Sequence, residues 1–104
     1  MAAELTVIWW RDIPAQVVAK IGRRTARVQL TGRFQEAIDM AATRVGLIGA
    51  DDYLNEWHRK ARPCGDDLDA EAAAEAERLE RAYTDETLDV LVRAGGLAND
   101  MEPS

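Results

Sequence analysis

Two adjacent tryptophans, Trp9 and Trp10, end a segment with the pattern of a β-strand, residues 4–10. This segment is rich in β-branched and aromatic residues, which favour strands. Neighbouring side chains on a strand point to opposite faces, so the two rings cannot both enter a core that lies on one side of a sheet. One ring therefore needs a second cover, which is either another part of this chain or a partner.

Two further strands follow the first. Asp12-Ile13-Pro14 interrupts the pattern, because proline lacks an N–H and aspartate favours turns. Residues 15–21 then continue as a strand, Gly22-Arg23 supplies a second turn, and residues 24–30 alternate between apolar and polar side chains. The first 30 residues therefore predict a three-stranded antiparallel meander.

Helical spacing replaces this alternation after Thr31, which is a candidate N-cap for a helix that Gly46 ends. A second helix is predicted over residues 67–83, capped by Asp66 or Asp67, and a short one from Thr84 or Asp85 to Gly95-Gly96. Residues 52–60 fit either a strand or a helix. Pro63 favours an extended conformation at Arg62, so we favour the strand.

These elements predict an α+β fold with the order βββ-α-β-α-α, in which helices pack on one face of a mostly antiparallel sheet. With 104 residues in total, residues 1–96 are expected to form one domain and residues 97–104 a flexible C-terminal tail.

Composition limits the location and the chemistry. The longest apolar run, Val7–Trp10, is far shorter than the roughly 18–20 residues of a membrane span, so no membrane partner is expected. The N-terminus lacks the pattern of a secretory signal. The single cysteine, Cys64, excludes an internal disulfide and agrees with a reducing compartment. We therefore expect a cytoplasmic protein.

The net charge of −6 is unevenly distributed. Residues 1–63 carry ten Lys/Arg and seven Asp/Glu, whereas residues 64–104 carry three and twelve. The acidic half disfavours binding to nucleic acid. In the basic half, Arg23, Arg24 and Arg27 are candidates for an anion site because guanidinium groups bind carboxylates and phosphates through paired hydrogen bonds. Two separately solvated faces are the alternative explanation of the asymmetry.

No residues indicate catalysis, a metal or a cofactor. His58 and Cys64 are the single histidine and cysteine, too few for an ordinary zinc site, and no third group is evident to orient them as a nucleophile and base. The carboxylates of residues 66–71 are explained as helix caps. The chain has no glycine-rich phosphate-binding motif.

The tryptophan pair is the stronger candidate for a binding site. A partly exposed tryptophan beside Arg11 is typical of a protein interface, and Asp12 and Pro14 would fix the turn that presents it. On this hypothesis one of Trp9 and Trp10 anchors the core while the other contacts a protein partner or a second copy. The alternative is that the chain's own helices and long side chains cover both rings.

The segments TVIWWRDIPAQV, GRRTARVQLTGRFQEAIDMAA and DDYLNEW give the chain, over roughly residues 4–95, a close resemblance to a family of small bacterial domains called virulence factor. Members occur as short stand-alone proteins and as modules attached to helical-repeat proteins. The resemblance implies no catalytic residues. It does imply a setting near folate and one-carbon methyl metabolism, and hence an accessory subunit.

The sequence therefore predicts a non-catalytic accessory or interaction protein that docks on a bacterial metabolic enzyme. The alternative is a small-ligand binder that holds an anion, such as a phosphate or polyglutamyl group, on Arg23, Arg24 and Arg27. An enzyme ranks third, because no acid, base and nucleophile come together in the sequence.

Overall fold

A four-stranded antiparallel sheet is the centre of the fold. The computed structural model describes residues 2–46 and 50–98, and the sheet order in this part of the chain is β3-β2-β1-β4. The strands of the sheet are β1 (Ala3–Trp10), β2 (Ile13–Ile21), β3 (Arg24–Gln29) and β4 (Trp57–Cys64). The described helices are α1 (Gly32–Arg44), α2 (Ala50–Leu54), α3 (Leu68–Ala82) and α4 (Asp85–Arg93). The predicted α+β fold and the meander are confirmed.

Residues 52–60 contain both of the structures that their sequence allows. The short helix α2 ends at Leu54, and β4 begins at Trp57 and pairs antiparallel with β1. The strand prediction is therefore correct from Trp57 onward and wrong for residues 52–54. Tertiary contact explains the difference, because the main-chain carbonyl of Tyr53 accepts a hydrogen bond of 3.0 Å from the indole nitrogen of Trp10.

The two later helices begin at predicted caps. Asp67 accepts from the Ala70 amide at the start of α3, and Thr84 accepts from the Thr87 amide at the start of α4. Thr31 precedes α1 as predicted, but its amide and hydroxyl both bind the carboxylate of Glu80 on α3, at 2.7 and 2.9 Å. The start of α1 is thus held by a neighbouring helix.

The main core lies between α3 and one face of the sheet. α3 packs mainly on β2 and β3, while α1 packs on α4 and on β2. Alternate side chains of the strands enter this core, as a half-buried antiparallel sheet requires. They include Leu5, Val7, Val17 and Ala19, which meet the buried α3 residues Leu68, Ala72, Ala76 and Leu79.

The two tryptophans have different covers, and both covers belong to this chain. Trp9 is half-buried on the α3 face, where its ring lies 6.2 Å from that of Tyr83, the residue that ends α3. Trp10 points to the opposite face by strand alternation. It is 0% exposed, because Tyr53 of α2 stacks on it at 5.8 Å and the turn after α4 approaches it at Gly96.

The end of the described chain returns to the sheet. The amide of Ala98 donates a 2.6 Å hydrogen bond to the Asp12 carboxylate, between β1 and β2. The predicted flexible tail begins at residue 97, and its residues 99–104 lie outside the described part.

We expect Trp10→Ala to lower the free energy of unfolding by about 3–5 kcal/mol, because it removes a large buried ring and leaves a cavity. Chemical denaturation monitored by circular dichroism measures this loss. Leu54→Ala is the control: Leu54 is 60% exposed, so a change of about 0.5 kcal/mol or less is expected. A Trp10→Ala protein as stable as the control would contradict the buried role of Trp10.

Candidate functional site

The predicted partner-binding segment is an internal connection between three parts of the chain. Arg11 and Asp12 form the two-residue turn between β1 and β2. The Arg11 guanidinium donates to the Gly95 carbonyl through Nη1 and to the Glu56 carboxylate through Nη2, both at 2.9 Å. It thereby joins the turn to the end of α4 and to the residue before β4.

Main-chain bonds strengthen the same connection. The Arg11 amide donates to the Glu56 carbonyl at 3.1 Å, and the Asp12 amide donates to the Gly96 carbonyl at 2.8 Å. The Arg11 carbonyl is bonded to Nε2 of His58 on β4. Both Nη atoms of Arg11 and the two main-chain amides therefore have partners within the chain, whereas Nε of Arg11 is buried without a partner among the described residues.

The contact surface predicted from Trp9, Trp10, Arg11, Asp12 and Pro14 is therefore not an open surface. Trp10 and Pro14 are fully buried, and the Arg11 side chain is 14% exposed. Asp12 is half-buried and bonded to Ala98, and Trp9 is half-buried beside α3. Apposing these residues to a partner would require this packing to open.

Two features of this turn depend on backbone conformation. Arg11 has a φ of 51°, in the left-handed region that favours glycine. Gly96 has a φ of 88°, and a Cβ atom there would lie 2.9 Å from Cζ3 of Trp10. The close approach of the chain to Trp10 thus requires glycine at residue 96.

The predicted anion-binding arginines do not come together on one face. Arg27 lies on β3 opposite Val18, whereas Arg24 lies opposite Ile21 at the start of the strand, and residues three apart point to opposite faces. Arg23 lies in the turn before β3 and is exposed. The structure separates this set of three.

Arg27 instead belongs to the sheet face that lies opposite α3. We define the open sheet face as Thr6, Ile8, Val18, Lys20, Arg27 and Arg59, which line a cavity of about 300 Å³ together with Glu4 and Thr25. Ile8 and Val18 are half-buried at its centre, while Lys20, Arg27 and Arg59 are exposed. All the described residues that line this cavity belong to the four strands.

Lys20 and Arg59 were not among the site residues predicted from the sequence. Arg59 faces Ile8 across the β1–β4 pair, and Lys20 faces Glu4 across the β1–β2 pair. Alternation along residues 57–64 would have placed Arg59 and Lys60 on opposite faces. Because residues 52–60 fitted either a strand or a helix, this alternation was not used. The sequence also could not show which strand β4 pairs with.

A second surface lies between α3 and the edge strand β4. We call it the α3–β4 groove and define it by Leu5, Val7, Trp9, Lys60, Arg62, Glu75 and Arg78, which line a cavity of about 220 Å³. Lys60 and Arg62 face Val7 and Leu5 across the strand pair. The groove therefore has an apolar floor and a basic rim.

Glu75 is the buried carboxylate of this groove, and its side chain is 7% exposed. Arg78 binds it through two hydrogen bonds of 2.8 and 2.7 Å, and Arg62 lies 3.6 Å away. The hydrogen bond from Arg78, opposed by burial, lowers the pKa of Glu75 below its ordinary value of 4.5. Glu75 is thus an internal counter-ion that holds both arginines beside the groove.

His58 and Cys64 do not meet. Both lie on β4, six residues apart, which corresponds to about 20 Å along a strand. Burial, together with the nearby Glu71 carboxylate, raises the pKa of the Cys64 thiol and disfavours the reactive thiolate. Within residues 2–46 and 50–98, no group of three or more His, Cys, Asp or Glu side chains is placed to hold a metal ion.

The fold and its surfaces define a small α+β domain whose edge strand carries basic side chains on both faces. The family model described as virulence factor matches residues 8–92, most of the chain, and the protein belongs to that family. Comparison with the curated proteins gave no match, and comparison with the solved structures gave none either. The described helices include none long and apolar enough to cross a membrane.

Substitution of Arg11 separates its side-chain bonds from its backbone conformation. Arg11→Ala and Arg11→Gly lose the same two hydrogen bonds, but alanine retains the cost of the left-handed conformation. We expect Arg11→Ala to destabilise the protein by about 2 kcal/mol and Arg11→Gly by about 1 kcal/mol less. Urea denaturation measures both. If the glycine variant is the less stable of the two, the turn does not store this strain.

The Glu75 ion pair predicts a pH dependence of stability. Because its pKa is lower in the folded state, Glu75 stabilises the protein above its ordinary pKa of 4.5, and this contribution disappears as pH falls through the folded-state pKa. We expect Glu75→Gln to cost about 1–2 kcal/mol at pH 7 and progressively less in acid. Urea unfolding across a pH series measures the difference.

Glu77→Gln is the matched control for Glu75→Gln, because Glu77 lies on the same helix in an exposed ion pair with Arg81. An exposed pair contributes little, so this variant should differ from the parent by less than about 0.5 kcal/mol. Equal effects of the two variants at every pH would show that the Glu75 pair contributes no more to the free energy of unfolding than an exposed ion pair.

Proposed function

We propose that this protein is a non-catalytic accessory subunit that binds an acidic surface of a bacterial enzyme through its open sheet face, in the cytoplasm. The observation that carries the proposal is the composition of that face. A half-buried aliphatic centre, Ile8 and Val18, is flanked by the exposed bases Lys20, Arg27 and Arg59. An apolar centre with a charged rim is the usual anatomy of a protein interface.

Charge favours an acidic partner over a second copy. A symmetric dimer would place the same face of each copy against the other. Lys20, Arg27 and Arg59 would then meet their own counterparts, and Glu4 is the single acidic residue among the described residues that line the cavity. Like charges brought together in this way oppose association, whereas an acidic patch on another protein complements them.

The internal bonding of the turn at Arg11 and Asp12 also favours a contact surface elsewhere. Arg11 is bonded to Gly95, which follows α4, and to Glu56, which precedes β4. These bonds leave the open sheet face available to a partner. The alternative function, an anion site on Arg23, Arg24 and Arg27, has less support because Arg24 and Arg27 lie on opposite faces of β3. The open sheet face keeps Arg27 and adds Arg59.

The setting that the family resemblance implies, folate and one-carbon methyl metabolism, supplies the first enzymes to test. We would capture partners from the native cell extract with the tagged protein, identify them by mass spectrometry, and purify the leading candidate. Binding of the two purified proteins would then be measured by calorimetry at several salt concentrations. Light scattering of the protein alone gives its own oligomeric state.

We expect the double variant Arg27→Glu/Arg59→Glu to weaken this complex by about tenfold or more, since both changes oppose an acidic partner. The control Arg23→Glu/Arg24→Glu makes the same change in net charge outside the open sheet face. It should retain the complex. Loss of binding in the control with retention in the double variant would overturn the proposal, as would a self-association that excludes the enzyme.

A further inference from the structure

The α3–β4 groove is separate from the surface of the proposed function. Lys60 and Arg59 are adjacent on β4, but strand alternation directs Lys60 into the groove and Arg59 onto the open sheet face. The groove forms because α3 lies over β2 and β3 on the same face of the sheet, away from the edge that β4 forms. Binding in the groove is therefore independent of the accessory function.

The floor of the groove is apolar and contains one buried polar group without a partner. Leu5 and Val7 are buried beneath α3, and the half-buried Trp9 ring continues the same surface. The indole nitrogen Nε1 of Trp9 is buried without a hydrogen-bond partner among the described residues. The accessible part of the floor is therefore the half-buried Trp9 ring.

The rim of the groove carries a surplus of positive charge. Lys60 places its Nζ 5.3 Å from the centroid of the Trp9 ring, and the described residues give this ammonium no carboxylate partner. Arg62 and Arg78 share the single carboxylate of Glu75. Among the described residues that line the groove there are thus three bases and one acid, which leaves a net attraction for an anion beside the Trp9 ring.

We propose that the α3–β4 groove binds a small amphipathic carboxylate. Its apolar body lies against the half-buried Trp9 ring, with Leu5 and Val7 buried behind it, and its carboxylate accepts from the Lys60 ammonium beside the Arg78 guanidinium. The cavity of about 220 Å³ limits this ligand to a small body, such as one or two fused rings. Two surfaces on one edge strand would then serve different ligands, a protein and a small molecule.

The probe for this site is 2-naphthoate, and 2-naphthamide is the neutral control of the same shape. Titration of the ¹⁵N-labelled protein would be followed by NMR, in which Trp9, Trp10 and Trp57 each give an indole N–H signal, with calorimetry for affinity. We expect 2-naphthoate to shift the Trp9 indole signal and leave the Trp10 signal unchanged. The amide should bind about tenfold more weakly, since it lacks the charge.

The paired variants Lys60→Gln and Arg59→Gln test the position of the anion. Both residues are exposed, so both proteins should keep the parent's unfolding midpoint. Lys60→Gln should lower the affinity for 2-naphthoate by about fivefold or more, and Lys60→Arg should restore it. The affinity of Arg59→Gln should stay within about twofold of the parent's.

Three results would overturn the carboxylate site: no indole shift at millimolar 2-naphthoate, equal affinities for acid and amide, or a larger loss from Arg59→Gln than from Lys60→Gln. Failure of the enzyme complex leaves each of these measurements unchanged. The reciprocal pattern distinguishes the two proposals, because Arg59 affects the protein partner and Lys60 affects the carboxylate.

Discussion

The Arg11 guanidinium holds together the elements that the rest of the structure depends on. One side chain binds the Gly95 carbonyl and the Glu56 carboxylate, and so fixes the end of α4 and the entry to β4 against the β1–β2 turn. These two hydrogen bonds close the chain over Trp10, whose own indole binds α2. The ring is fully buried. Because Arg11 also binds Glu56, the residue before β4, this edge strand begins at a fixed position beside β1.

Fixing β4 in this way creates the two candidate surfaces. Successive side chains of a strand alternate between its two faces, and β4 carries basic side chains on each. On one face Arg59 lines the same cavity as Arg27, which lies on β3 at the opposite edge of the sheet. On the other face Lys60 and Arg62 line the α3–β4 groove, whose floor is accessible at the half-buried Trp9 ring. One strand thus supplies charge to two unlike environments.

The uneven charge of the chain is partly an internal pairing of its two halves. Glu75 and Glu80 of the acidic half are bound by Arg62 and Arg33 of the basic half. Glu80 also receives both hydrogen bonds of Thr31, and these contacts lower the pKa of its carboxyl against the effect of burial. Two acids of α3 therefore hold the helix against the basic half, and the expectation of two separately solvated faces is incomplete.

The sequence by itself determined the elements with short-range causes: the meander from alternation, α3 and α4 from their caps, and the ends at Gly46 and Gly95-Gly96. It also held the separation of Arg24 from Arg27, because alternation alone puts them on opposite faces. Tertiary structure decided which strand β4 joins, that α2 covers Trp10, and that Arg59 faces Ile8. Those outcomes depend on pairing between residues more than 40 positions apart, and local periodicity carries no information about such partners.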